Sequence, residues 1–211
     1  MSDSLLFALP KGRLFDRALD LLSRAGIALD REQEISRRLT FSDRDGRFEF
    51  VALKPVDIPV YVEAGAIDLG IVGSDILREL GSDVNEPLDL RIGLCRLVVA
   101  GPRRANGNAG YRRVATKYPR TAEQHFRARN AHVHIVRLDG SVEIAPLLGL
   151  SDLIVDLVET GRTLQENGLA ILEEVAPVSA KLIVNRTSMK LKSAAVNGLI
   201  AQLDRVVYEN P

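Results

Sequence analysis

Two carboxylates and a threonine turn stand together in DLIVDLVETGRTLQENGL, residues 152–169. Asp152 and Asp156 interrupt an apolar run, 153–158, with the length and composition of a buried strand. Four residues apart on a strand, they share one face. The run ends at Glu159, and Thr160, Gly161, Arg162 and Thr163 then turn into a short helix. Thr163 and Glu166 have capping-box spacing, and Asn167-Gly168 closes the helix. A strand feeding a glycine turn and a helix start gathers free backbone N–H groups at one point, which attracts a phosphate. Near the carboxyl end of a parallel strand, the carboxylate face would border a ligand crevice. Paired carboxylates beside a phosphate suit a ribose, whose vicinal hydroxyls are donors. A plain cap and turn, with the carboxylates paired to arginines, has the same spacing, so the residues alone leave both readings open.

PKGR, 10–13, is a second candidate. Lys11 and Arg13 precede a strong amphipathic helix, where a cation opposes the dipole at roughly 0.3–1 kcal/mol. A bound anion would offset this; so would solvation. GSDIL, 73–77, is another glycine turn at a helix start, with Ser74 as N-cap and Asp75 in the first turn. P-loop, dinucleotide-binding, HExxH, paired CxxC and GxSxG patterns are all missing from the sequence. His132 and His134 share a strand face without a neighbouring ligand type and read as surface residues; Cys95 reads as core.

The elements that must position these residues alternate. LLFAL (5–9) reads as a strand, followed by a helix from Leu14 to Ala25 that Gly26 stops. A hairpin around Asp45-Gly46 precedes a helix over 55–65, a strand over 67–72 and a helix ending at Gly81. Strands over 96–101, 114–118, 132–138, 153–158 and 181–185 alternate with helices over 121–130, 141–150 (Ser141 as cap) and 188–207. No repeat is evident. This is an α/β pattern with mainly parallel sheets. The 211 residues carry 46% apolar and 27% charged side chains at zero formal net charge, which does not suit a nucleic-acid or membrane-surface protein. With one cysteine, no spanning run and no signal-peptide pattern, a soluble cytoplasmic protein is expected.

ALPKGRL (8–14), SRRLTF (36–41), DIPVYVEAGAIDLGIVGSDIL (57–77), VATKYP (114–119), LDGSVEIAPLLGLSDLIVDLVETGRTLQENGL (138–169) and KLIVNRTS (181–188), in this order, resemble ATP phosphoribosyltransferase, the first enzyme of histidine biosynthesis. The resemblance implies that ATP and phosphoribosyl pyrophosphate (PRPP) give phosphoribosyl-ATP and pyrophosphate, with Mg2+. It implies two lobes similar to type II periplasmic binding proteins, residues 1–91 with 181–211 and residues 92–180, with the active site in the inter-lobe cleft. It places Glu159, Thr160, Gly161, Arg162 and Thr163 around the PRPP 5′-phosphate, with no specific role for the Arg162 side chain. Asp152 and Asp156 would face the ribose and metal region. Lys11, Arg13 and Arg37 would act on pyrophosphate and ATP phosphates. Ser74, Asp75, Gly140, Ser141 and Glu143 would border the substrates. Mg2+ would be held mainly by substrate phosphates and water, with no side-chain ligand assigned.

The chain stops at Pro211, so it resembles the short form, without a C-terminal regulatory domain. The resemblance then implies a separate regulatory subunit similar to histidyl-tRNA synthetase, and catalytic dimers within a hetero-octamer. The rival readings are a non-enzymatic small-molecule binding protein of the same fold and a phosphoribosyltransferase with another acceptor.

Overall fold

The computed structural model describes residues 4–27, 40–102 and 112–208. Arg37 and most of the polar loop at 102–113 lie outside the described residues. The chain forms two compact units. The first is Met1–Leu77, Gly81–Gly93 and Ser179–Pro211, and the second is Arg78–Leu80 with Leu94–Val178. No helix among the described residues is long and apolar enough to cross a membrane.

In the first unit, β1 (Leu5–Pro10) is a central strand, buried at Leu5 and from Phe7 to Pro10. Parallel to it lie β3 (Phe48–Leu53) on one side and β4 (Leu69–Gly73) on the other. β2 (Thr40–Ser42) edges β3, while β11 (Ala180–Val184) and β5 (Asn85–Asp89) continue beyond β4, all antiparallel. Helix α1 (Phe15–Arg24) buries Ala18, Leu21 and Leu22, the spacing of one helical face. These meet Phe7, Leu9, Phe50, Ile71, Leu199 and Leu203 in one core. The opposite face packs Ala8, Val72 and Ile183 against Ile58 and Val62 of α2 (Ile58–Glu63). Each such aliphatic side chain contributes about 1.5–3 kcal/mol on burial, so both faces of β1 hold its carboxyl end in place.

The second unit is built on β7 (Arg112–Thr116), with β8 (Val133–Arg137) and β9 (Leu153–Val158) parallel on its two sides. β6 (Cys95–Pro102) lies antiparallel to β9 and β10 (Leu169–Val178) antiparallel to β6. Helix α4 (Pro119–Arg127) covers one face, where Ala122 and Phe126 meet Leu97, Val114, Leu153 and Val155. The other face packs Val98, Ala115, Ile154 and Val158 with Val142 and Leu164.

The two sheets share one strand plan. The first runs β2-β3-β1-β4-β11-β5 and the second β10-β6-β9-β7-β8. Leaving out β2 and reading the second from its β8 edge, in each the earliest of the three parallel strands is the centre, the second lies on one side, the third on the other, and two antiparallel strands follow the third.

Several expectations are corrected. The sheets are mixed, with parallel centres and antiparallel flanks, rather than mainly parallel. The longest strand, β10, escapes the sequence pattern because Glu173, Glu174 and Pro177 interrupt its alternation. It is an edge strand whose register shifts twice, and an edge tolerates such breaks. Residues 141–150 form only one 3-10 turn, Val142–Ile144, in which Ser141 makes no side-chain cap. Pro146 explains this, since within a helix begun at 142 it would lose the bond to the preceding turn and clash with it. The helix expected over 188–207 is two, α6 (Arg186–Leu191) and α7 (Ser193–Tyr208), and Asn185 caps the first by accepting from the N–H groups of Thr187 and Ser188. The repeat not seen in the sequence is present as the shared strand plan.

Candidate active site

Ligands in open α/β sheets bind outside the carboxyl ends of parallel strands. In the second unit those ends lead into Lys117, into Leu138–Ser141, and into Glu159–Gly161 ahead of α5 (Arg162–Glu166). The last two loops are anchored on one apolar face. Val142 and Ala145 follow the β8 loop, Val158 and Leu164 flank the β9 turn, and all four join the same cluster. Gly140, Ser141 and Glu143 are thus brought to the same edge as Glu159–Thr163. Ser141 takes a left-handed conformation (φ 48°) and is exposed; Glu143 is half-buried.

The turn itself depends on Gly161, whose φ of 81° lies in the left-handed region. Its effect is to point successive amides outward. Within the described protein the N–H groups of Thr160, Gly161 and Thr163 have no acceptor, and that of Arg162 reaches only Thr160 Oγ1 at 3.4 Å. Successive free amides in a turn form an anion-binding concavity. Helix α5 has only five residues, so the amides rather than a long helix dipole supply the attraction. The Arg162 guanidinium is turned to Glu166 (2.8 Å).

The structure separates the two aspartates. Asp156 is half-buried near the carboxyl end of β9, on the face of Ile154 and Val158, and its Oδ1 accepts from the Leu157 N–H at 2.8 Å. Asp152 precedes β9, seven residues from Glu159, or about 23 Å of strand. There its Oδ2 accepts from the Arg113 N–H (2.8 Å), its own N–H donates to the Arg113 carbonyl (2.9 Å), and Oδ1 faces the Arg113 guanidinium (3.4 Å). The Arg113 N–H, ahead of its guanidinium, holds the Asp152 carboxyl below the usual carboxylate range. Asp68 does the same in the first unit. Its Oδ2 accepts from the Leu6 N–H (2.9 Å) and its own N–H donates to the Leu6 carbonyl (3.0 Å). Asp152 is therefore a register clamp between the starts of β7 and β9, not a companion of Asp156.

In the first unit, Lys11 follows β1 and its N–H donates to Leu53 O (2.8 Å), which sets it beside the end of β3. Lys11 and Arg13 are exposed, and Gly12 (φ 94°) turns the chain into α1. Lys54, which sequence reasoning missed, is exposed at the end of β3; only strand pairing shows it to be Lys11's neighbour. Beyond β4, Ser74 is the first residue of α3 (Ser74–Leu80) rather than its cap. Its N–H donates to Ser179 O (2.9 Å) and its Oγ accepts from the Ser179 N–H (3.3 Å). Asp75 is buried and folds back over Gly73, where a Cβ would collide with Asp75 Oδ1. One sheet edge thus joins Lys11, Arg13, Lys54, Ser74 and Asp75.

The sequence pattern of HisG, ATP phosphoribosyltransferase, matches residues 54–205. An ATP phosphoribosyltransferase of Thermoanaerobacter sp. (strain X514) is 50% identical over 206 residues, covering 97% of each chain. This chain belongs to the HisG family of ATP phosphoribosyltransferases. Among solved structures, the ATP phosphoribosyl transferase (HisG:HisZ) complex from Thermotoga maritima contains a chain that superposes with a TM-score of 0.85 at 34% identity, over 98% of this chain and 100% of that one. A periplasmic domain of BvgS from Bordetella pertussis gives a TM-score of 0.57 at 15% identity, over 99% of this chain and 93% of that one, and shares the fold alone. The expected two-lobed α/β architecture similar to periplasmic binding proteins is therefore present.

Proposed function

We propose that this chain transfers the 5-phosphoribosyl group of PRPP to N1 of ATP, giving phosphoribosyl-ATP and pyrophosphate, the first step of histidine biosynthesis. The observation that carries the reading is the set of acceptor-less amides around Gly161, which begins four residues beyond Asp156. A 5′-phosphate accepts from those amides while Asp156 and Glu159 accept from ribose hydroxyls. The exposed cations Lys11 and Arg13 bind pyrophosphate and ATP phosphate oxygens, and Arg37 is assigned the same role from its sequence motif.

Adenine N1 already carries a lone pair, so no base is needed to create the nucleophile. The N1–C1 bond forms as the C1–O bond to pyrophosphate breaks, and the oxygen leaves with the electron pair. Positive charge develops on the ribose and negative charge on the leaving group. Catalysis is therefore positioning together with stabilisation of departing charge. Asp156 and Glu159 offer the hard oxygen donors that Mg2+ takes in ones and twos. When bound mainly to substrate phosphates, the ion would neutralise part of their charge.

A HisZ-like regulatory subunit is the proposed partner, in a hetero-octamer containing catalytic dimers, and the cytoplasm the proposed location. A solute-binding role has only the fold in its favour. Incubating purified chain with ATP, PRPP, Mg2+ and pyrophosphatase, with and without a HisZ-like subunit, should yield phosphoribosyl-ATP by mass spectrometry. No product in either mixture, with no calorimetric PRPP binding, would overturn the proposal.

A further inference from the structure

The charge around the Gly161 turn does not suit the phosphate dianion assigned to it. The turn carries Glu159 and Arg162, which cancel, and Arg162 is held by Glu166 at 2.8 Å. Asp156 adds a negative charge just before it. A bound phosphate would therefore meet good hydrogen-bond donors in an unfavourable field unless a cation reaches it from another strand.

Two strands parallel to each other end at this edge besides β9. At the end of β8, Arg137 is drawn to Asp139 (3.7 Å). At the end of β7 stands Lys117, exposed, and among the described residues it makes no ion pair. Register fixes where it stands. Thr116 pairs with Val155 of β9 and with Arg137 of β8. Lys117 is therefore level with Asp156 on one side and with Leu138, one residue before Asp139-Gly140-Ser141, on the other. β9 overruns β7 by three residues, about 10 Å, a gap that a lysine stem and a phosphate fill together. The backbone at this point is held. Thr116, fully buried, donates from Oγ1 to Val155 O (2.7 Å) and accepts from the Tyr118 N–H (2.8 Å). Thr116 ties the β7 end to β9, so Lys117 is positioned relative to the turn.

The first unit repeats this placement. There Lys11 follows the central strand β1 as Lys117 follows the central strand β7, and each precedes a helix. We infer that Lys117 is a further substrate-binding residue, the cation that completes the 5′-phosphate site of the Gly161 turn. The inference rests on the phosphoribosyl-transfer reading.

Steady-state kinetics of Lys117→Ala, Lys117→Arg and Gly161→Val, with PRPP and ATP varied separately, test it. A charge-assisted hydrogen bond is worth about ten- to a hundredfold. Lys117→Ala should raise KM for PRPP by about that factor, while KM for ATP stays within about twofold and the thermal midpoint is unchanged, because the side chain is exposed. Lys117→Arg should restore most of the loss. An unaltered KM for PRPP in Lys117→Ala, with a raised one in Gly161→Val, overturns the role of Lys117 and leaves the turn intact. An unaltered KM for PRPP in both variants removes the phosphate site itself. A raised KM for ATP alone assigns Lys117 to the nucleotide and also overturns the inference.

Discussion

The two sheets follow one strand plan and clamp it in one way, yet they end in different chemistry. Asp68 and Asp152 each precede the third parallel strand and bridge to the start of the central one through a carboxylate–amide and an amide–carbonyl bond. At the opposite ends they diverge. The first sheet offers side-chain cations, Lys11, Arg13 and Lys54. The second offers backbone amides around Gly161, with Asp156, Glu159 and the exposed Lys117. Mobile phosphate charge that must be released suits flexible cations, whereas a ribose phosphate that must be held in one orientation suits fixed amides and carboxylates.

The clamps differ in burial, and this difference should appear in stability. Asp68 is buried; burial alone would push its carboxyl up, but Lys192 Nζ (2.7 Å), Ser188 Oγ (2.7 Å) and the Leu6 N–H bring it below the usual range. Asp68→Ala should cost about 3 kcal/mol in urea unfolding, because it leaves the buried Ser188 hydroxyl and the Leu6 N–H without their acceptor. Asp152→Ala removes an exposed clamp and is expected to cost about 1 kcal/mol; equal losses would end the distinction.

The strand ends should separate in kinetics. Arg13→Ala should lower kcat by about 10²–10³-fold, as for a lost group that stabilises departing charge, with KM for PRPP changed far less; an unchanged kcat with raised KM would place Arg13 in ground-state binding. Gly161→Val forces a branched side chain into the left-handed region at roughly 1–2 kcal/mol, so KM for PRPP should rise about tenfold. Asp152→Ala should leave both kinetic constants within about twofold of wild type, since Asp152 sits at the far end of β9. Lost turnover in a folded Asp152→Ala variant would reinstate it as a substrate ligand.

The smallest effect is in acid. Asp68 and Asp152 both titrate below their unfolded range. Their stabilisation is complete above the unfolded carboxylate pKa, about 3.9, and is lost as pH falls through the lower folded values, because the unfolded chain binds more protons there. Asp68→Asn should flatten that acid limb of the stability curve more than Asp152→Asn.

Local pattern alone determined much of this protein. The runs at 5–9, 67–72, 153–158 and 181–185 hold the strands β1, β4, β9 and β11 because apolar segments of that length between glycine and polar breaks have no other way to bury themselves. Gly161 and Lys11 stood out because a glycine turn and a misplaced cation carry their chemistry in the sequence. The role of Asp152 did not, since face-sharing is local whereas the position of a strand's start relative to its neighbour is set by pairing across 39 residues. Nor did β10, whose charged alternation makes sense only at an edge, or Lys54 and Lys117, ordinary lysines until register sets them beside Lys11 and Asp156. Sequence spacing fixes which residues share an element; only the sheet, through long-range hydrogen bonding, decides which ends of different elements meet.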